Sequence, residues 1–233
     1  MKIEEKFLTP NKYSRPGIKL EKVTKIAVHY VGNPGSTAIA NRNYFENQKN
    51  GGRYVSSHYI IGLVGEIIQC IPLTEWSYCT NQANGYSISI ECCHPDASGR
   101  FNEATEQSLV ELCAYLCKRY NLTSDDIIRH YDVTGKLCPL WYVKRPESFL
   151  AFKKRVAAEL TKDSDDGKTY YVQVGAFKSK ANAEKYLEGV KRITPTHLLR
   201  PCKQTALCRK SRGLFFLCNY LVFVFSSKGA NVC

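Results

Sequence analysis

The stretch Ile128-Arg129-His130-Tyr131-Asp132-Val133-Thr134-Gly135-Lys136-Leu137-Cys138-Pro139 constrains this chain more than any other. A histidine and a cysteine stand eight positions apart in it, with a lysine two residues before the cysteine. Imidazole nitrogen and thiolate sulfur together make half of a tetrahedral zinc site, and a catalytic zinc keeps three protein ligands and one open position. A third donor must therefore come from elsewhere, on an element rigid enough to hold it. His29 is the obvious source, because Thr24-Lys25-Ile26-Ala27-Val28-His29-Tyr30 reads as a β-branched strand that delivers the histidine at its end. The residues thus point to a zinc hydrolase with His29, His130 and Cys138 as ligands.

The rest of the chain supplies a frame for such a site. Residues 7–20 carry two prolines and a glycine and read as an extended lead-in to a strand over Lys22–Tyr30. Thr37 is placed to cap a helix running to about Gln48, which Asn50-Gly51-Gly52 ends. Ser57–Leu63 and Gly65–Ile71 read as a hairpin. Tyr86–Cys92 alternates polar and apolar residues, so it is expected to be a half-buried strand, with Ile88 and Ile90 inward and Glu91 on the opposite face, towards a cleft.

Asn102 caps a predicted helix to Tyr120, with Glu103 and Glu106 at its positive end. Leu109, Leu112, Cys113, Leu116, Cys117 and Tyr120 share one face of it, so the two cysteines read as core residues rather than metal ligands. Pro146 opens another helix, with Phe149, Leu150, Phe152, Val156 and Leu160 expected on its buried side. His58 reads as a packing or supporting histidine, and His94 as a turn residue.

Composition bounds the remainder. A hydrophobic content of 44% and a charged content of 23% suit a globular domain. Eleven cysteines without an apolar leader fit reduced, buried thiols better than a disulfide scaffold. The charged start Met1-Lys2-Ile3-Glu4-Glu5-Lys6 does not look like a secretory signal, which favours a chain held in the cytoplasm until release. The apolar run from Gly213 to Phe225 falls short of the roughly 20 residues of a membrane helix, so no membrane span is expected. A formal charge of +12 implies acidic partners, either nucleic acid or an anionic wall. No basic stripe interleaved with aromatics precedes the tail, which argues against nucleic acid.

With these residues in hand, the chain from about 22 to 143 resembles the type 2 zinc-dependent N-acetylmuramoyl-L-alanine amidases, the family that includes peptidoglycan recognition proteins and short phage endolysins. The resemblance lies in Ile26-Ala27-Val28-His29-Tyr30, Ser57-His58-Tyr59-Ile60-Ile61, Ser87-Ile88-Ser89-Ile90-Glu91 and Arg129 to Pro139, in that order. It implies an α/β fold, a mixed central sheet flanked by helices with zinc at the floor of an open groove. It also implies His29, His130 and Cys138 as the Zn2+ ligands, Lys136 as a stabiliser of developing negative charge, and Glu91 as a base or water-orienting group. The expected substrate is peptidoglycan, cut between N-acetylmuramic acid and L-alanine, in the manner of an endolysin or a host autolysin. A binding protein without activity is the alternative, and Cys138 speaks against it, since binding-only relatives typically lack that ligand. One position departs from the pattern. Several members carry a catalytic tyrosine where this chain has Ser57, which shifts proton transfer onto Glu91.

The expected layout is a catalytic domain over residues 1–160 and a polar linker over 161–168. Residues 169–193 follow, where Tyr171 to Phe177 and Ala181 to Glu184 resemble the first half of a SPOR repeat, which binds glycan strands. After Glu188 no Asp or Glu occurs, and residues 194–233 are basic and scattered with cysteines. This tail reads either as an out-of-frame or degraded end or as a divergent basic fold with a strand near Leu214–Phe225.

Overall fold

A computed structural model describes residues 1–162 throughout and, beyond them, mainly the strands named at the end of this section. The chain divides into two units, Met1–Asp163 and Ser164–Cys233.

The first unit is built on a six-stranded sheet. Its strands are β1 (Ile3–Glu5), β2 (Lys25–Tyr30), β3 (Tyr59–Ile61), β4 (Ile67–Gln69), β5 (Ser87–Cys92) and β6 (Ile127–Arg129), in spatial order β1-β4-β3-β5-β2-β6. Only β3 and β4 run antiparallel, as the expected hairpin, and every other pair is parallel. Helices α1 (Ala38–Asn47) and α2 (Glu103–Tyr120) lie between its strands, and α3 (His130–Thr134), α4 (Leu140–Lys144) and α5 (Pro146–Thr161) follow β6. The mixed sheet with flanking helices is the fold class expected from the sequence.

Strand alternation divides the sheet into two chemically different faces. Ile26, Val28, Tyr59, Ile61, Ile88, Ile90 and Cys92 point to one side, where they pack with Leu109, Leu112, Cys113, Leu116 and Cys117 of α2 and Phe149, Phe152 and Val156 of α5. Each large apolar side chain fully buried there contributes about 1.5–3 kcal/mol. Tyr142 of α4 closes this core, its ring 5.4 Å from Phe101 and 5.5 Å from Phe152, and its hydroxyl donates to Glu106 Oε1 at 2.8 Å. The other side takes Ile60 and Ile68 against α1 and Leu8.

The caps follow the sequence. Thr37 Oγ1 accepts from Ala40 N–H, and Asn102 Oδ1 accepts from Thr105 N–H. Two expectations need correction, and one strand went unread. Tyr86–Cys92 is not half-buried: Ser87 and Ser89, on the polar face of β5, are each 1% exposed because a hydrogen-bonded polar layer covers them. Leu150 is 54% exposed; it follows Phe149 by one position, and about 100° of helical rotation carries it off the core stripe. The sequence reading places no strand before residue 7, yet Ile3–Glu5 forms an edge strand parallel to β4. Three residues, two of them charged, on an edge strand give no hydrophobic period to read.

In the second unit, β7 (Val172–Phe177), β8 (Leu198–Cys202) and β11 (Tyr220–Phe225) form an antiparallel sheet in the order β7-β11-β8. A hairpin pairs β9 (Ala206–Arg209) with β10 (Phe215–Cys218). Of the helix expected over Ser179–Val190, only part is described. The stretch from Thr194 to His197, where the SPOR resemblance gives out, lies outside the described residues. Among the described residues no helix is long and apolar enough to cross a membrane.

Candidate active site

The parallel pairing of β2 with both β5 and β6 gathers the site. In the β2–β5 ladder His29 is the partner of Glu91, and in the β2–β6 ladder Val28 is the partner of Arg129. His29 therefore lies beside Glu91 on one flank, and on the other beside His130, the first residue of α3. Both histidines hang from the C-terminal ends of parallel strands, the edge at which open α/β sheets place their ligands.

Cys138 is brought back by a short return. Helix α3 stops at Gly135, whose φ of +76° only glycine adopts without strain. The Tyr131 amide then donates to the Cys138 carbonyl at 3.0 Å, which fixes the loop against the start of α3. On the outer side of α3, Arg129 forms a 2.6 Å ion pair with Asp132 and donates to the Tyr142 carbonyl, tying the site to the core.

The donor atoms converge. His29 Nδ1 lies 3.1 Å from His130 Nδ1 and 3.6 Å from Cys138 Sγ, and all three residues are buried. A tetrahedral zinc with ordinary bond lengths sets two nitrogens about 3.3 Å apart and a nitrogen and sulfur about 3.6 Å apart. Both distances fit that geometry, and all three donors lie within 4.8 Å of one another. They also fit it in protonation, since burial, followed by the charges of His130 and Lys136, holds the His29 imidazole well below its usual range. His130 is lowered by burial and by Lys136. Neutral imidazoles keep their lone pairs for a cation. Burial, with Glu91 adding to it, pushes the metal-free Cys138 thiol up to about 12, so a cation must displace its proton.

Hydrogen bonds behind the donors hold His29 in place. His29 Nε2 lies 2.9 Å from Thr80 Oγ1, so with Nδ1 turned to the cation position the Nε2–H donates to the hydroxyl. Thr80 is held in turn by Asn84, whose Oδ1 accepts from the amides of Cys79 at 3.1 Å and Thr80 at 2.7 Å. Sequence reasoning missed both Thr80 and Cys79. They lie in an irregular loop with no periodic signal, and only the folded sheet reveals which residue of it meets His29.

Glu91 projects from β5 onto the same side. Its Oε1 is 3.6 Å from Cys79 Sγ, and its Oε2 is buried without a hydrogen-bond partner. Burial raises its carboxyl to about 8 against the opposing pull of Lys136. Lys136 is exposed, on the lip of the loop that carries Cys138, and its charge acts on His29, His130, Glu91 and Cys138 alike.

The remaining candidates fall outside this set. Ser57 is buried and donates to the Tyr59 carbonyl at 2.7 Å, so its hydroxyl is consumed locally. His58 is a buried supporting residue: its Nδ1 accepts from the Ser89 amide at 3.0 Å, and its Nε2–H donates to the Glu75 carbonyl at 2.9 Å. His94 donates from Nδ1 to the Asp96 carbonyl at 2.7 Å and packs 5.1 Å from the Tyr30 ring. Cys113 and Cys117 are buried free thiols in the core.

The sequence profile described as N-acetylmuramoyl-L-alanine amidase matches residues 19–141, and a SPOR domain profile matches residues 166–197. N-acetylmuramoyl-L-alanine amidase CwlL of Bacillus licheniformis is 36% identical over 174 residues, covering 67% of this chain and 47% of the relative. N-acetylmuramoyl-L-alanine amidase BlyA of Bacillus subtilis (strain 168) is 35% identical over 176 residues, covering 66% and 47%. The chain thus spans about half the length of these curated relatives. The solved catalytic domain of XlyA superposes with a TM-score of 0.58 at 26% identity, covering 67% of this chain and 99% of that one. A mutant endolysin from Bacillus subtilis gives 0.57 at 28%, covering 65% and 98%. The site described above falls wholly within the matched residues, and the chain belongs to the N-acetylmuramoyl-L-alanine amidase family.

Proposed function

We propose that this chain is a peptidoglycan hydrolase that cleaves the amide bond between the lactyl group of N-acetylmuramic acid and L-alanine. The observation that carries the reading is the convergence of His29, His130 and Cys138 at zinc-binding distances beside the unpartnered Glu91 carboxyl. Membership of the family supports the same bond specificity.

His29, His130 and Cys138 would hold a zinc ion, which when bound lowers the pKa of water and polarises the scissile carbonyl. The chain's own groups do the rest. Glu91, its carboxyl unpartnered beside the three donors, takes the proton from the attacking water and delivers it to the leaving amine of L-alanine. Lys136 sets a positive charge at the mouth of the site, where oxyanion charge develops. Thr80 keeps His29 in the tautomer that leaves Nδ1 free. Ser57, turned to a backbone carbonyl, takes no part.

Solved relatives include an endolysin, which supports lysis of a bacterial wall as the setting. The SPOR match over residues 166–197 supports a second contact with the wall through glycan strands.

Release of new L-alanine amino termini from purified peptidoglycan tests the reading, with wild type, Cys138→Ser and a chelated sample compared. Release that chelation abolishes, zinc restores and Cys138→Ser lacks is the expected result. Walls bound by the intact chain with no termini released would instead indicate a binding module.

A further inference from the structure

Cys79 has no place in the reaction just described, yet its thiol stands at the edge of the site. It lies 3.6 Å from Glu91 Oε1, and Cys79, Glu91 and His29 each offer a donor atom within 4.8 Å of the others. Among the described residues only this group and the His29, His130 and Cys138 set bring three such donors together. A tetrahedral zinc or similar cation separates a thiolate sulfur from a carboxylate oxygen by about 3.6 Å. The buried Glu91 Oε2 has no hydrogen-bond partner in this arrangement and remains available to a cation. His29 belongs to both groups.

We propose that Cys79, Glu91 and His29 form a second seat for a thiophilic divalent cation, overlapping the first through the shared imidazole. The inference rests on the reading of His29 as a metal ligand. One thiolate, one carboxylate and one imidazole favour zinc or cadmium over magnesium or calcium, because soft sulfur selects such ions. Binding releases the Cys79 proton to solvent. It also ties up the Glu91 carboxylate, so a chain loaded at this seat loses its proton carrier. The second seat is inhibitory.

Cadmium titration of the full chain, read by the ultraviolet thiolate-to-cadmium absorption, tests this. The Cys79→Ser/Cys138→Ser double variant is the baseline for all other cysteines. Cys138→Ser, measured against that baseline, is expected to show the absorption of one thiolate, and adding Glu91→Gln to it is expected to weaken cadmium binding at least tenfold. Cys138→Ala is run in parallel, so that poor folding of one variant does not decide the outcome. Titration of both Cys138 variants identical to the baseline overturns the second seat. Cys79→Ser reports separately on the first seat: no band above baseline there, with a band retained in Cys138→Ser, would sink the His29, His130 and Cys138 reading alone.

Discussion

His29 and Glu91 are register partners on adjacent parallel strands, so the sheet itself sets the spacing between the imidazole proposed to hold zinc and the carboxyl beside it. No loop closure is needed to bring them together. Glu91→Gln keeps the side-chain shape and removes the carboxyl proposed to carry the proton. Amidase turnover is expected to fall about 100-fold or more, in line with the weight of general acid–base catalysis. Zinc content measured on the same preparation should stay at the wild-type level. A variant that keeps its turnover would remove Glu91 from the reaction.

Thr80 touches the proposed metal site only through His29. Thr80→Val preserves shape and removes the acceptor for His29 Nε2–H. Loss of such a partner costs about 10–100-fold in metal affinity or activity. Competition against a chromogenic chelator should register that drop in zinc affinity. Unchanged affinity would mean that packing alone orients the ring.

Much of this site was legible because the chemistry sits on regular elements. His29 at a strand end, Glu91 on the face opposite Ile88 and Ile90, and Cys113 and Cys117 on a helical stripe all follow from period and position. What sequence could not give lies where partners are distant in the chain and irregular in backbone. Cys79 and Thr80 reach the site through a loop anchored by Asn84. Ser89 shares the polar face of β5 with Glu91, but Ser77 and His58 cover it. Burial of a polar face is a property of what packs over it, and alternation alone cannot report that.

That polar layer has a pH signature. Burial drives the His58 imidazole down to about 4, with the Glu75 carbonyl opposing the shift. The unfolded chain binds this proton near pH 6.5, so the neutral ring contributes stability that is fully present above pH 6.5 and is lost as pH falls towards 4. Between those limits one such group contributes a slope of about 1.4 kcal/mol per pH unit. His58→Gln should be less stable than wild type in urea unfolding at pH 7, and the gap should shrink by pH 5. An equal gap at both values would show that the ring is not held neutral.

Glu46 reports on a lower window, at the seam between α1 and the lead-in. Burial pushes its carboxyl up, but Lys49, the hydroxyl and amide of Thr9, and Arg42 together outweigh it and hold the group at about 2. Thr9 Oγ1 donates to Oε1 at 2.6 Å and the Thr9 amide to Oε2 at 3.0 Å, so the charged form also anchors the chain that crosses α1. A carboxyl depressed on folding contributes stability present above its unfolded value of about 4.5, and that stability disappears as pH falls towards 2. Glu46→Gln should therefore destabilise the first unit at neutral pH and converge with wild type below pH 3. The His58 contribution is already spent over most of that range, so the two variants separate the windows. Urea midpoints for wild type and Glu46→Gln that run parallel from pH 5 to pH 2 would mean that the Thr9 and Lys49 contacts do not favour the ionised carboxylate in solution.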